Sequence, residues 1–317
     1  MLELPRVAHL HVHLESAVRW STLGEIAARN GIAFPAHLGG HRFTSFADFF
    51  DQNQLVRECL RRPEDFHRVA VEFCQDQVAQ GVAYVEVSFT AAAHGERLGD
   101  LGMPLAAVLD GLAEGGERYG LGWQVILDTS RRRSVERAWR TLELARKHDG
   151  VVAVGLAGDE DHPAAPFAAV FAEAREAGLH VVHHAGEAAG AASIREALDV
   201  GLTERLGHGI RVLDDPDLTA EVRERGIPLE VCPTSNVALG FVPSLAEHPL
   251  PQLRAAGLTV TVNTDIPEMV HTTLRDEYAA FDWTEAELKE LARASVTASF
   301  ADDATKARLL AAADGGA

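Results

Sequence analysis

The sequence predicts a (β/α)8 barrel, a single α/β domain over residues 1–317 with a helical insertion after the first strand. Three observations predict it. Eight short β-branched or apolar runs recur along the chain, Ala/Glu/Arg/Leu-rich stretches of helical spacing separate them, and no Pro/Ser linker or close repeat divides them. The first run, VAHLHVH (7–13), places His9, His11 and His13 on alternate positions and hence on one face of a strand. Residues 14–81 then exceed one crossover by about two helices. The excess, roughly residues 30–75, is expected to cover the barrel mouth as a lid, and FTSFADFF (43–50) offers it an apolar face. Phe46, Phe49 and Phe50 would equally serve to pack that helix down.

VAYVEVSF (82–89), GWQVILDT (122–129) and VVAVGLAG (151–158) read as the next three strands. SVERAWRTLELARKH (134–148) has helical spacing, and so does PFAAVFAEAREAG (166–178), which closes on a glycine where a helix C-cap falls. HVVHHAG (180–186), ERLGHG (204–209), IPLEVCPTS (227–235) and LTVTVNTD (258–265) complete the eight.

Composition narrows the function. At 317 residues and 47% hydrophobic, the chain can bury a full core. Lys+Arg 29 against Asp+Glu 47 leaves a net charge of -18, which repels nucleic-acid phosphates and anionic membrane surfaces, so neither is an expected partner. Cys59, Cys74 and Cys232 are widely spaced with no C-x-x-C pair, which supports neither a disulfide framework nor a thiolate zinc site. The first dozen residues lack an apolar signal core and no run of about eighteen apolar residues occurs, so a cytoplasmic protein is expected.

Chemistry in such barrels collects at the C-terminal ends of the strands, where His11, His13, His184, His208 and Asp265 all fall. His11 and His13, two apart on one strand, can point into the barrel together and bind one metal ion. His9 lies deeper and is expected to be a hydrogen-bonded core residue. Three imidazoles, one carboxylate and an open position for water make a catalytic zinc environment.

LHVHLES (10–16), GLAGDE (155–160), HHAGE (183–187), RLGHG (205–209), CPTSN (232–236) and NTDIP (263–267) resemble, in order and interval, the motifs of the adenosine deaminase family. ASFADDATKARLL (298–310) is similar to its C-terminal helix, so the resemblance runs the length of the chain. It implies that His11, His13, His184 and Asp265 hold one zinc ion, that Glu187 and His208 act on the substrate, and that the backbone N–H of Gly158 binds a ring nitrogen.

Each role has a chemical reason. Removing an aromatic amine by hydrolysis needs a nucleophile at neutral pH, which a metal supplies by lowering the pKa of water to about 7. Asp265 and His208 can take and orient the water's proton, and Glu187 can protonate the ring nitrogen beside the attacked carbon. Glu187 must then be protonated when substrate binds. The recognition positions depart from the family: Ile266 stands where a second aspartate normally meets the purine five-membered ring. Glu15 replaces an aspartate that contacts the sugar, Ser16 a glycine, and EVSFTAAAH lacks the Arg and Pro of the second-strand motif. Arg131, Arg132 or Arg133 after the third strand could meet a substrate carboxylate, or form a solvated basic turn.

The expected function is a zinc-dependent aminohydrolase of a purine-like or related heterocyclic amine, free or as a nucleoside, and not of adenosine itself. An alternative substrate is a carboxylate-bearing adenosine derivative such as aminodeoxyfutalosine, and iron or another divalent metal could replace zinc. A non-catalytic binding homologue would have lost a ligand or Glu187, and neither is lost. A nucleic-acid-editing deaminase needs a P-C-x-x-C that the chain lacks.

Overall fold

The protein, seen here as a computed structural model, is described for residues 6–35, 43 and 46–313. Eight parallel strands follow one another in sequence order: β1 (Val7–His9), β2 (Val82–Phe89), β3 (Gly122–Ser130), β4 (Val151–Ala157), β5 (His180–Ala185), β6 (Arg205–His208), β7 (Leu229–Val231) and β8 (Val260–Val262). Val12 bridges Asp265 just beyond β1 and β8, with the His13 N–H donating to the Asp265 carbonyl at 2.9 Å and the Asp265 N–H to the His11 carbonyl at 3.0 Å. The expected (β/α)8 barrel is thereby formed.

The regular strands are shorter than the runs that encode them. β1 stops at His9 because the Asn263 side-chain oxygen accepts from the N–H groups of Leu10 and His11, at 2.9 and 3.1 Å, where a neighbouring strand's carbonyl would otherwise pair. The backbone rejoins the sheet at Val12 and His13. Pro233 opens the helix Pro233–Ala238, which ends the run after β7. His9 is the expected core histidine: Nδ1 lies 2.7 Å from Gln77 Oε1, and Nε2 accepts from the Thr264 N–H.

Helices lie where the periodicity puts them. SVERAWRTLELARKH contains Val135–Ala145, and PFAAVFAEAREAG contains Ala168–Glu176, followed by Gly178 at φ +81°. The last described helix is Asp303–Ala313. Between β1 and β2 run the helices Trp20–Arg29, Phe46–Cys59 and Pro63–Ala79. Residues 36–42, 44 and 45 of the expected lid, and the side chains of Phe46 and Phe50, lie outside the described residues. Phe49, Asn53 and Arg57 of Phe46–Cys59 line the cavity at the barrel mouth, so this helix forms one wall of the site. Cys59, Cys74 and Cys232 are buried and unpaired, and among the described residues no helix is long and apolar enough to cross a membrane.

Candidate active site

His11 and His13 follow β1, His184 lies on β5, His208 ends β6 and Asp265 follows β8, so four separate strands deliver them to one place. The donor atoms of His11, His13, His184 and Asp265 all lie within 4.8 Å of one another. His13 Nε2 and His184 Nε2 are 3.2 Å apart, and Asp265 Oδ1 is 3.2 Å from His13 Nε2 and 3.5 Å from His11 Nε2. Two nitrogens bound to one tetrahedral zinc ion at 2.0–2.1 Å stand about 3.3 Å apart. His11 Nε2 is buried with no hydrogen bond, the state of a ligand atom turned toward an ion. Three imidazoles and a carboxylate are therefore a donor set that could hold a divalent metal ion.

Close backbone approach makes this packing possible. A Cβ on Gly207 would stand 2.8 Å from His11 Cε1 and 3.2 Å from His184 Cα, so only glycine fits between the His11 ring and the His184 backbone. His208 and Asp265 both hold left-handed backbone conformations, at φ 66° and 62°. Such conformations cost non-glycine residues of order 1 kcal/mol or more, and the surrounding ladder must enforce them.

Behind the first ring of ligands lies a second. His11 Nδ1 is 2.8 Å from Glu230 Oε2, and the other Glu230 oxygen accepts from Arg205 Nε at 2.6 Å. That contact keeps the His11 proton on Nδ1 and leaves Nε2 free to bind. Asp128 Oδ2 stands 3.3 Å from His13 Nδ1 and plays the same part for the second histidine. Ser235 Oγ donates to Asp265 Oδ2 at 2.6 Å.

Glu187 faces the same cavity from the loop after β5. Asn236 Nδ2 donates to its Oε1 at 3.0 Å and lies 3.2 Å from His208 Nδ1. Burial, reinforced by the carboxylates of Asp265 and Glu160, pushes the Glu187 carboxyl well above its usual range. Burial would also raise Asp265, but the imidazoles of His11 and His13 outweigh it and hold that carboxylate well below the ordinary value. The two acids in one cavity are thus driven apart, one toward the protonated form and one toward the ionised form. Burial pushes His208 down to about 3 and holds His184 well below its ordinary value, so both rings are neutral at pH 7.

The loop carrying Glu187 has its own anchor. The Glu160 carboxylate accepts from the N–H groups of Gly186, Glu187 and Ala188 at 2.7, 2.9 and 2.8 Å. Gly158, two residues upstream at φ +92°, lines the cavity, as does the buried Ile266 beside Asp265.

The model of the family described as adenosine deaminase matches residues 5–314. The chain belongs to the adenosine deaminase family. Among its relatives, aminodeoxyfutalosine deaminase of Acidothermus cellulolyticus is 38% identical over 325 residues, covering 96% of this chain and 90% of that protein. The crystal structure of adenine deaminase from Arthrobacter aurescens matches with a TM-score of 0.93 at 33% identity, covering 98% of each chain. An amidohydrolase of Burkholderia ambifaria with bound zinc matches with a TM-score of 0.88 at 26% identity, covering 98% of this chain and 90% of that one. The protein is accordingly a hydrolytic deaminase.

Not every expected residue of this deaminase reaches the cavity. Glu15 is buried behind its wall, where the Thr90 N–H, the Thr90 hydroxyl and His94 engage its carboxylate, and Thr90 is the residue that lines the cavity. Arg131 is also turned away: its guanidinium donates to the carbonyls of His162 and His184 at 3.1 and 2.7 Å. Arg132 and Arg133 do line the cavity. Sequence reasoning missed Asp128, Glu230, Ser235 and Asn236 as partners of site residues. The last two lie within CPTSN, whose likeness to a motif of the family was their signal.

Proposed function

We propose that the protein is a zinc-dependent hydrolytic deaminase that replaces the exocyclic amino group of a purine-like heterocycle by oxygen and releases ammonia. The observation that carries this reading is the meeting of a three-imidazole, one-carboxylate donor set with a buried, proton-retaining Glu187 in one cavity. His11, His13, His184 and Asp265 would hold the ion. The chemistry it supplies when bound is Lewis acidity, which makes water a nucleophile at neutral pH.

The chain's own groups do the rest. Glu187 gives its proton to the ring nitrogen as oxygen adds to the adjacent carbon, so the ring never carries the full negative charge. The neutral His208 and ionised Asp265 accept and orient the proton that the water gives up. That proton then passes to the departing nitrogen, which leaves as ammonia, while the hydroxyl on the ring carbon returns its proton to Glu187 and becomes the carbonyl. Asn236 holds Glu187 and His208 in register, and Glu160 fixes the loop from which Glu187 reaches in. The Gly158 N–H meets a ring nitrogen of the base, and Glu15 acts on the substrate side through Thr90.

Ile266 separates this protein from an adenosine-specific enzyme. Its side chain lines the cavity next to Asp265 and offers no hydrogen bond to a five-membered-ring nitrogen. Burying that acceptor unpaired costs about 1–3 kcal/mol, a penalty on adenosine and on any other purine whose five-membered ring rests against Ile266. The names of its relatives, adenine deaminase and aminodeoxyfutalosine deaminase, bracket the candidates.

Ammonia release over a panel of aminopurines, aminopteridines, aminopyrimidines and their nucleosides tests the reading, together with metal analysis of the active enzyme. Turnover of one purine-type amine by protein holding about one zinc ion per chain is the expected result. No ammonia from any member, or full activity without metal, would overturn it.

A further inference from the structure

The strongest unexplained feature of the cavity is the gathering of four arginines on its lining, Arg57, Arg132, Arg133 and Arg137, in a chain of net charge -18. Resting on the deaminase reading above, we propose that the substrate carries an anionic group, a carboxylate or a phosphate, held in this cavity by Arg57 together with Arg133.

Arg57 comes from the helix Phe46–Cys59 and Arg133 from the turn after β3, and both line the same cavity as Glu187 and His184. Arg57 Nε is buried and, among the described residues, has no hydrogen-bond partner. Buried charges are normally paired, because an unpaired one forfeits hydration without return. The acid that would pair it, Glu15, is already engaged by Thr90 and His94. Arg137, the third guanidinium on this wall near Arg57, is committed to Glu96 through its Nε at 2.8 Å. Asp128, the other acid near Arg57, stands 3.3 Å from His13.

The local field points the same way. Burial, with the charges of Arg133 and Arg137 added, works against the ionised Arg57 guanidinium, and Glu15 and Asp128 only partly oppose them. An anion in the cavity would reverse that balance, and the planar fork of a guanidinium matches the paired oxygens of a carboxylate or phosphate. Asn53, Thr90 and Ser130 add neutral polar side chains to the same wall.

The test compares adenine nucleosides bearing a 5′-carboxylate, a 5′-linked benzoate or a 5′-phosphate with the matched neutral carboxamide, benzamide and methyl phosphotriester, in wild-type holoenzyme and Arg57→Gln. The expected result is an anionic member at least about 30-fold above its neutral match in kcat/KM, with the preference falling by a similar factor in Arg57→Gln, mainly through KM, and partly restored in Arg57→Lys. Preference for the carboxylates assigns a carboxylate substrate; preference for the phosphate assigns a phosphate one. Arg133→Gln gives the same reading if Arg57→Gln does not fold. Equal turnover of charged and neutral members overturns the inference and leaves the deaminase reading intact. If no purine is deaminated, calorimetric binding of the deaminated 5′-carboxylate and carboxamide still reads the arginines, and equal affinities overturn the inference on their own.

Discussion

Two buried clusters of charge sit one above the other in this barrel, and they differ in how completely they are satisfied. In the deeper one every charge has its opposite: Arg205 pairs with Glu86 and Glu230 at 2.6 Å each, donates to the Ala298 carbonyl at 3.0 Å, and lies 3.8 Å from the centroid of the Phe300 ring. The upper one is open: His11 Nε2 and His208 Nε2 are buried without a hydrogen bond, and two of its residues hold left-handed backbone conformations. Paired buried charge supports a fold, whereas buried polar atoms without a partner, beside strained backbone, are the pattern of a functional site. Glu230 joins the two, with one oxygen toward Arg205 and the other toward His11.

The sharpest way to break this contrast is at Glu187, which touches only the open cluster. Glu187→Gln is isosteric and removes no donor of the metal site, so metal content and melting temperature should stay while kcat falls by about 10² to 10⁴. Near-native turnover in that variant would refute the proton-donor role. Glu230→Gln probes the joint between the clusters: zinc affinity measured by chelator competition should weaken by about 10- to 100-fold, the usual worth of a residue that orients a metal-binding histidine. Unchanged affinity would mean that the His11 orientation does not depend on the lower cluster.

Ile266→Asp probes recognition. It should raise kcat/KM for adenosine by about tenfold, because it gives the five-membered-ring nitrogen a partner in place of an apolar contact. A fall for adenosine would remove Ile266 from recognition.

A last effect is one of pH and belongs to Glu277, which accepts from the N–H of Thr234 in the CPTSN run. Burial pushes its carboxyl up to about 7 from an ordinary 4.5, against the hydrogen bonds it accepts from Thr234 and Thr272. A raised carboxyl pKa contributes stability that is complete below 4.5 and is lost as pH rises through 7. Wild type should therefore lose about 2 kcal/mol relative to Glu277→Gln between pH 5 and pH 8 in denaturant titrations. Parallel pH profiles would show that Glu277 is ionised in the folded protein throughout.

By itself the sequence determined the order of the eight strands and which of their ends carry imidazoles and carboxylates. Strand alternation and β-branched runs are local properties, and a parallel barrel puts every strand's C-terminal end on one face, so His11, His13, His184, His208 and Asp265 could be grouped before any contact was known. The exact reach of β1 was not legible, because an Asn263 side chain some 250 positions away takes the hydrogen bonds that would extend it. Nor could the chain reveal which of the clustered arginines face the cavity. Arg131, in the same run as Arg133, is turned to the carbonyls of His162 and His184, and Arg57 comes to the wall from an insertion far from the catalytic motifs. Those outcomes depend on which distant backbone groups and charges surround each side chain once the barrel has closed, and only the tertiary structure sets them.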